Sequence, residues 1–226
     1  MGDFLEITAE DGHTFDAYRV TPEGAPHAGL LVIQEIFGVN SHIRGVCDGF
    51  ARDGYLALAP AIFDRKQRKV EFGYTTETVT GGRALKDEIG WDNPVSDMKA
   101  GLASLRNSLG PNAKIGVVGY CWGGTLAWLA SCRLETNCAV GYYGAQVGQF
   151  NDEEPKSPTM LHFGSEDAGI PLSMVDAVRE AHADVQIFVY EGAGHGFNCD
   201  QRDDYNPTAF ALARERTMAY FAKHLG

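Results

Sequence analysis

A cysteine stands at the centre of Gly119-Tyr120-Cys121-Trp122-Gly123-Gly124, between the apolar run Lys114-Ile115-Gly116-Val117-Val118 and the helix-forming stretch Thr125-Leu126-Ala127-Trp128-Leu129-Ala130. That order reads as strand, one-residue elbow, helix. It sets a nucleophile at the tip of a sheet, in backbone dihedrals that are usually strained. Gly119 and Gly123, two residues to either side of Cys121, are small because strand and helix approach closely at so sharp a turn. A thiol in this place also sits at a helix N-terminus, where unpaired N–H groups and the dipole favour the thiolate. Its chemistry is nucleophilic attack through a covalent intermediate.

Such a nucleophile needs an acid and a histidine, in that order, further along the chain. Thr159-Met160-Leu161-His162-Phe163-Gly164 is a buried-strand run ending in Ser165-Glu166-Asp167, which puts a carboxylate on the loop past a strand end, where α/β sheets carry function. The next strand, Val185-Gln186-Ile187-Phe188-Val189-Tyr190, leads into Glu191-Gly192-Ala193-Gly194-His195-Gly196-Phe197. His195 alone among the histidines occupies a glycine-rich loop after a strand. His13 lies in a turn, His27 in a Pro/Gly linker, His42, His182 and His224 on or beside helices, and His162 inside a strand; these read as surface or core residues.

The chain resembles the dienelactone hydrolase family, a branch of the α/β hydrolases that uses Cys, Asp and His. The stretches that carry the resemblance are Gln34-Glu35-Ile36-Phe37-Gly38-Val39-Asn40, Gly119 to Gly124, Ala139-Val140-Gly141-Tyr142-Tyr143-Gly144, Ala193-Gly194-His195 and Glu215-Arg216-Thr217. The resemblance implies a triad of Cys121, Asp167 and His195. It also implies that Glu35 is a further carboxylate touching the thiol and helping to deprotonate it when substrate binds, a role a Glu held near a thiol can perform. The oxyanion hole would be the backbone N–H groups of Ile36 and Trp122. Tyr142 matches an active-site tyrosine of the family, and Phe37 falls beside the acidic loop as a substrate contact. One position departs: the family enzyme that opens dienelactone holds the substrate carboxylate with two arginines, one of them four residues past the catalytic histidine, where this chain has Cys199. Arg202 and Arg83 are the candidate replacements. Cys199 at that position predicts weak dienelactone activity beside ready turnover of neutral activated esters, unless one of these two arginines rebuilds the anion site.

At 226 residues and 44% apolar content, the chain is long enough for one sizeable core, and a single α/β domain over 1–226 is expected. The net charge of -11 argues against nucleic acid, which calls for clustered Lys and Arg. The cluster Arg65-Lys66-Gln67-Arg68-Lys69 reads as a solvated loop. With no charged leader before an apolar run and no stretch of membrane-spanning length, the expectation is a cytoplasmic protein that engages no membrane. Five cysteines without Cys-x-x-Cys spacing suit a reducing compartment and argue against a disulfide framework or a structural zinc site. No cofactor and no metal are expected, and a monomer acting on a small-molecule ester or lactone is the simplest state.

The elements that must position these groups follow from the pattern of the chain. Phe4 to Thr8, the Asp11-Gly12 turn and Thr14 to Val20 form an N-terminal antiparallel hairpin. Strands near 29–34, 55–60, 114–119, 138–142, 159–163 and 185–190 then alternate with helices near 42–52, 94–109, 123–133, 171–183 and 207–223. This is the α/β-hydrolase fold: a mostly parallel central sheet with helices on both faces. Asn93-Pro94 reads as a helix start with Asn as N-cap. Residues 64–92 lack a firm pattern and carry four glycines, which predicts a substrate-covering lid or loop insertion. Two other functions compete with ester or lactone hydrolysis: a redox-active thiol protein in which Cys199 resolves oxidised Cys121, and a non-catalytic small-molecule binding module.

Overall fold

Alternating apolar residues decide which face of the sheet each helix covers. On β3 (Gly29–Ile33), successive side chains point to opposite faces. Leu31 reaches towards Gly101 of α3 (Asp92–Leu109), while Leu30 lies with Leu225 of α6 (Pro207–Leu225) beside Gly116. Helices therefore cover both sides, and the central strands β3, β4 (Leu56–Pro60), β5 (Ile115–Tyr120), β6 (Cys138–Tyr142) and β7 (Thr159–Gly164) are buried throughout. Near-continuous apolar strands are the mark of a parallel sheet covered on both faces.

The computed structural model describes residues 2–226. Its eight strands form one sheet in the order β1-β2-β4-β3-β5-β6-β7-β8, where β1 is Asp3–Thr8, β2 is Thr14–Val20 and β8 is Gln186–Tyr190. The β1–β2 and β2–β4 pairings are antiparallel, and every other pairing is parallel. The fold is thus the expected α/β-hydrolase type. After β3 the chain steps to β4 on one side and then crosses to β5 on the other. This reversal of strand order opens a crevice at the carboxyl ends of β3 and β5, the place where open α/β sheets bind ligands.

α1 (Ser41–Arg52) is capped by Asn40, whose side chain accepts from the Ile43 amide, and it meets α6 through Phe50 and Phe221 with ring centroids 5.9 Å apart. α4 (Trp122–Arg133) is buried on nearly every side, as its uniformly apolar sequence requires. α5 (Leu172–Ala181) links β7 to β8 in the chain and buries Val175 and Val178.

Three expectations need correction. Most of the 64–92 segment is helical: α2 spans Thr76–Ile89, capped by a reciprocal Thr75–Thr78 box. The Arg65 to Lys69 cluster is not a freely solvated loop, because Arg65 makes a two-pronged contact with fully buried Asp97 at 2.7 and 2.9 Å and reaches Asp11 at 2.7 Å. Finally, α3 begins at Asp92 after a Trp91 N-cap, and the Asn93 side chain donates to the Ile89 carbonyl instead of capping.

Candidate active site

Cys121 occupies the one-residue elbow between β5 and α4 with φ 55° and ψ -115°. This strained region is tolerated only where the surroundings over-determine it. Two close approaches do so. A Cβ on Gly119 would overlap the Gly123 backbone, and a Cβ on Gly123 would lie 2.5 to 2.6 Å from the Ile33 and Gln34 carbonyl oxygens. Backbone crowding of this kind leaves room for glycine only.

The loop after β7 brings Asp167 in, and the loop after β8 brings His195. His195 Nδ1 lies 2.7 Å from Asp167 Oδ2, and His195 Nε2 lies 3.1 Å from Cys121 Sγ. The other Asp167 oxygen accepts from the Gly169 amide at 2.9 Å, so the carboxylate, buried as it is, cannot rotate away from the imidazole. Burial of His195 works against the imidazolium, yet the neighbouring Cys121 sulfur and the Asp167 carboxylate outweigh it and raise the ring to about 10. The arrangement suits a nucleophile paired with a base and a group that orients the base.

A cavity of about 490 Å³ opens over Cys121 and His195. Ile36, Phe37, Trp122, Arg83 and Arg202 line it, together with Val79 and Lys86 of α2. Trp122 is the first residue of α4, so its N–H has no intrahelical acceptor. Ile36 lies across the crevice on the loop after β3. That loop is held by Gln34, whose side chain accepts from the Ile62 amide at 3.1 Å and donates to the Glu35 carbonyl at 3.3 Å. α2 braces it from the other side: Gly82 packs so tightly on the Ile36 carbonyl that a Cβ would collide with it. The segment read as a lid is therefore a wall of the cavity.

A model of the dienelactone hydrolase family matches residues 15–225. The chain belongs to that family. The carboxymethylenebutenolidase of Pseudomonas putida is 32% identical over 233 residues, covering 96% of this chain and 95% of that one. A provisionally named carboxymethylenebutenolidase of Synechocystis is 36% identical over 213 residues, covering 87% of this chain and 86% of its own. Among solved structures, a provisionally named dienelactone hydrolase from Klebsiella pneumoniae superimposes with a TM-score of 0.85 at 26% identity, covering 98% of each chain.

Within this dienelactone hydrolase family member, two residues stand differently from the sequence expectation. Tyr142 does not line the cavity: its hydroxyl lies 2.6 Å from Thr217 Oγ1 and donates to the Ala213 carbonyl at 3.2 Å. The tyrosine beside His195 is Tyr143, with ring centroids 5.2 Å apart and a buried hydroxyl that has no partner among the described residues. Glu35 is fully buried and does have partners, contrary to the expectation that it serves the thiol alone. Tyr74 donates to it at 3.3 Å, and Arg202 Nη1 lies 3.6 Å away. Burial opposes the charge on Arg202, but Glu35 first and the Cys121 sulfur next raise its pKa.

Tyr74, Tyr143, Val79, Lys86 and Gln146 are site residues that the sequence reading missed. For Tyr143 the signal was the Tyr142-Tyr143 pair itself, since only one of two adjacent tyrosines can face a given side of the strand. Tyr74 carried no signal in the sequence.

Proposed function

We propose that this protein hydrolyses carboxylic esters and lactones through a Cys121 thioester. The observation that carries the reading is the continuous chain from Cys121 Sγ through His195 to Asp167, at 3.1 and 2.7 Å. The thiolate attacks the carbonyl carbon. The Ile36 and Trp122 amides receive the developing oxyanion, and collapse of the tetrahedral intermediate expels the alcohol or enol oxygen, which takes its proton from His195. Water, activated by His195, then releases the acid. A thiolate leaves more readily than an alkoxide, so the first intermediate reverts unless the substrate's own leaving group is good. That favours enol lactones and aryl esters over alkyl esters and amides.

Arg83 and Arg202 both line the cavity, which supports substrates that also carry a carboxylate. Such a carboxylate competes with Glu35 for Arg202 and leaves Glu35 free to take the thiol proton, while His195, already protonated, supplies its own proton to the leaving oxygen; Glu35 returns its proton to the sulfur when the thioester is hydrolysed. The rival redox reading is disfavoured by Cys199, a buried thiol that burial first and Glu35 next push up to about 11. That is a poor resolving nucleophile at neutral pH.

The test is turnover of dienelactone, p-nitrophenyl acetate and simple lactones by wild type and Cys121→Ala, with mass spectrometry of the quenched wild-type reaction. The expected result is an acyl adduct on the peptide containing Cys121 and no turnover by the variant. Full activity in Cys121→Ala would refute the mechanism.

A further inference from the structure

Beside Arg202, three side chains of different chemistry converge without fully satisfying one another. Glu35, His42 and Cys199 are all buried, and each offers one donor atom such that the three lie within 4.8 Å of one another. His42, the second residue of α1, is 6% exposed, and Glu35 is fully buried. His42 Nε2 is buried with no hydrogen-bond partner among the described residues, and Glu35 Oε1 has only the longer ion pair to Arg202 at 3.6 Å. Buried polar atoms are nearly always paired, so an orphaned imidazole nitrogen beside a loosely held carboxylate oxygen calls for an explanation.

We propose that Glu35, His42 and Cys199 form a binding site for a borderline divalent cation of the Zn2+ type. One thiolate, one imidazole and one carboxylate are the donors such a cation selects, and three protein ligands leave a fourth position open. Bonds of roughly 2.0 to 2.3 Å in a tetrahedral shell set the donor atoms about 3.3 to 3.8 Å apart. The cluster therefore has to draw in by about an ångström, within reach of small side-chain rotations. Cys199 gives its proton to solvent as the metal–sulfur bond forms, and the two negative ligands then balance the cation. Asp200 Oδ1 lies 3.8 Å from His42 Nδ1, beyond hydrogen-bond distance, and would orient the ring as carboxylates do for metal-ligating histidines only after closing on it.

Arg202 is the group that opposes a cation here. It already has a second carboxylate, Asp204, at 3.3 Å, to which it can turn when Glu35 is taken. The metal and the Arg202–Glu35 pair exclude each other. The site's existence does not depend on the catalytic reading. One consequence does rest on that reading: a bound cation occupies Glu35 and so inhibits turnover.

Co2+ is the probe, because its charge-transfer absorption reports a cobalt–thiolate bond. Titration uses full-length Cys121→Ser, so that the Cys121–His195 pair cannot be the site. The expected result is one Co2+ per chain with a thiolate band, displaced by Zn2+. The band should vanish in Cys121→Ser/Cys199→Ser, and affinity should fall at least tenfold in Cys121→Ser/His42→Gln. Absence of the band in Cys121→Ser, or its persistence without Cys199, overturns the site. Circular dichroism confirms that each variant is folded, and Glu35→Gln in the same background replaces His42→Gln if that variant is not. In the otherwise wild-type enzyme, Cys199→Ser should need at least tenfold more Zn2+ for half-inhibition of p-nitrophenyl acetate turnover. Equal sensitivity overturns the inhibitory role. A protein that binds Co2+ as described but lacks esterase activity refutes the catalytic reading and leaves the site standing.

Discussion

The guanidinium of Arg202 lies 3.6 Å from the carboxylate of Glu35, although Arg202 is seven residues past His195 and not four. Room for it comes from Gly196, which has φ 84° and where a Cβ would fall 2.8 Å from Arg202 Cζ. Successive turns after His195 thus carry an arginine to the acidic loop, although position 199 is a cysteine.

The first prediction follows from that pair. With Arg202 and Arg83 in the cavity wall, the protein should favour a carboxylate-bearing lactone over its methyl ester, in contrast to the poor binding expected from Cys199 alone. Hydrogen bonds to charged groups contribute about 1.5 to 3 kcal/mol, and about 1.4 kcal/mol is a factor of ten. Arg83→Ala should therefore raise KM for the charged form about tenfold or more and leave the ester unchanged. Steady-state kinetics on both substrates decide; equal effects on the two would remove the anion site.

Asp167→Asn should keep the fold and lose most of the activity. The amide can no longer both accept from His195 Nδ1 and stabilise the imidazolium, and analogous changes in triads lower kcat by about 10^4. Loss of the His195 proton near neutral pH, followed by NMR titration of the ring, is the accompanying signature. A kcat within tenfold of wild type would show that Asp167 is dispensable.

Gly82→Ala adds a methyl group where the Ile36 carbonyl already sits. α2 or the acidic loop must shift, displacing the Ile36 amide from the carbonyl oxygen it is proposed to hold. Losing one oxyanion donor costs about 10²–10³ in kcat, so a fall of at least tenfold with KM little changed is expected. Gly81→Ala, one residue earlier, meets only the rim of the Phe72 ring at 3.7 Å and serves as the control.

His162 supplies a pH dependence unrelated to catalysis. Its ring lies 2.8 Å from the Tyr190 hydroxyl and 3.1 Å from Thr217 Oγ1, and burial lowers its pKa from 6.5 to about 3. A depressed folded pKa means the unfolded chain takes up the proton first, so stability is present above pH 6.5 and is lost as pH falls towards 3. Between pH 7 and pH 5 this residue alone should remove about 2 kcal/mol. Urea denaturation of wild type and His162→Gln at both pH values tests it: the pH-dependent loss should be smaller in the variant by about that amount.

Local signals made the convergence of Cys121, Asp167 and His195 legible. The elbow, the acidic loop end and the glycine-rich histidine loop each announce themselves within a few residues, because a sharp turn restricts sequence severely. Tertiary packing hid the rest. Thr75-Thr76-Glu77-Thr78-Val79-Thr80-Gly81-Gly82 is a poor helix former by propensity, and α2 is held where Gly82 meets the Ile36 loop. Tyr142 and Tyr143 differ by one residue, which in a strand decides the face. β6 ends at Tyr142, and Tyr143 turns out of it with φ 39°. The position of Arg202 depends on successive turns after His195, whose path no residue count resolves.

The strand order has a consequence for the newly made chain. Cys121 is synthesised with its elbow glycines well before Asp167 and His195, which arrive on the loops after β7 and β8. A partly folded sheet that ends at β6 holds the thiol but lacks the groups that activate it. On the mechanism proposed above, the thiol therefore gains its base and its orienting carboxylate only when the last strand pairs.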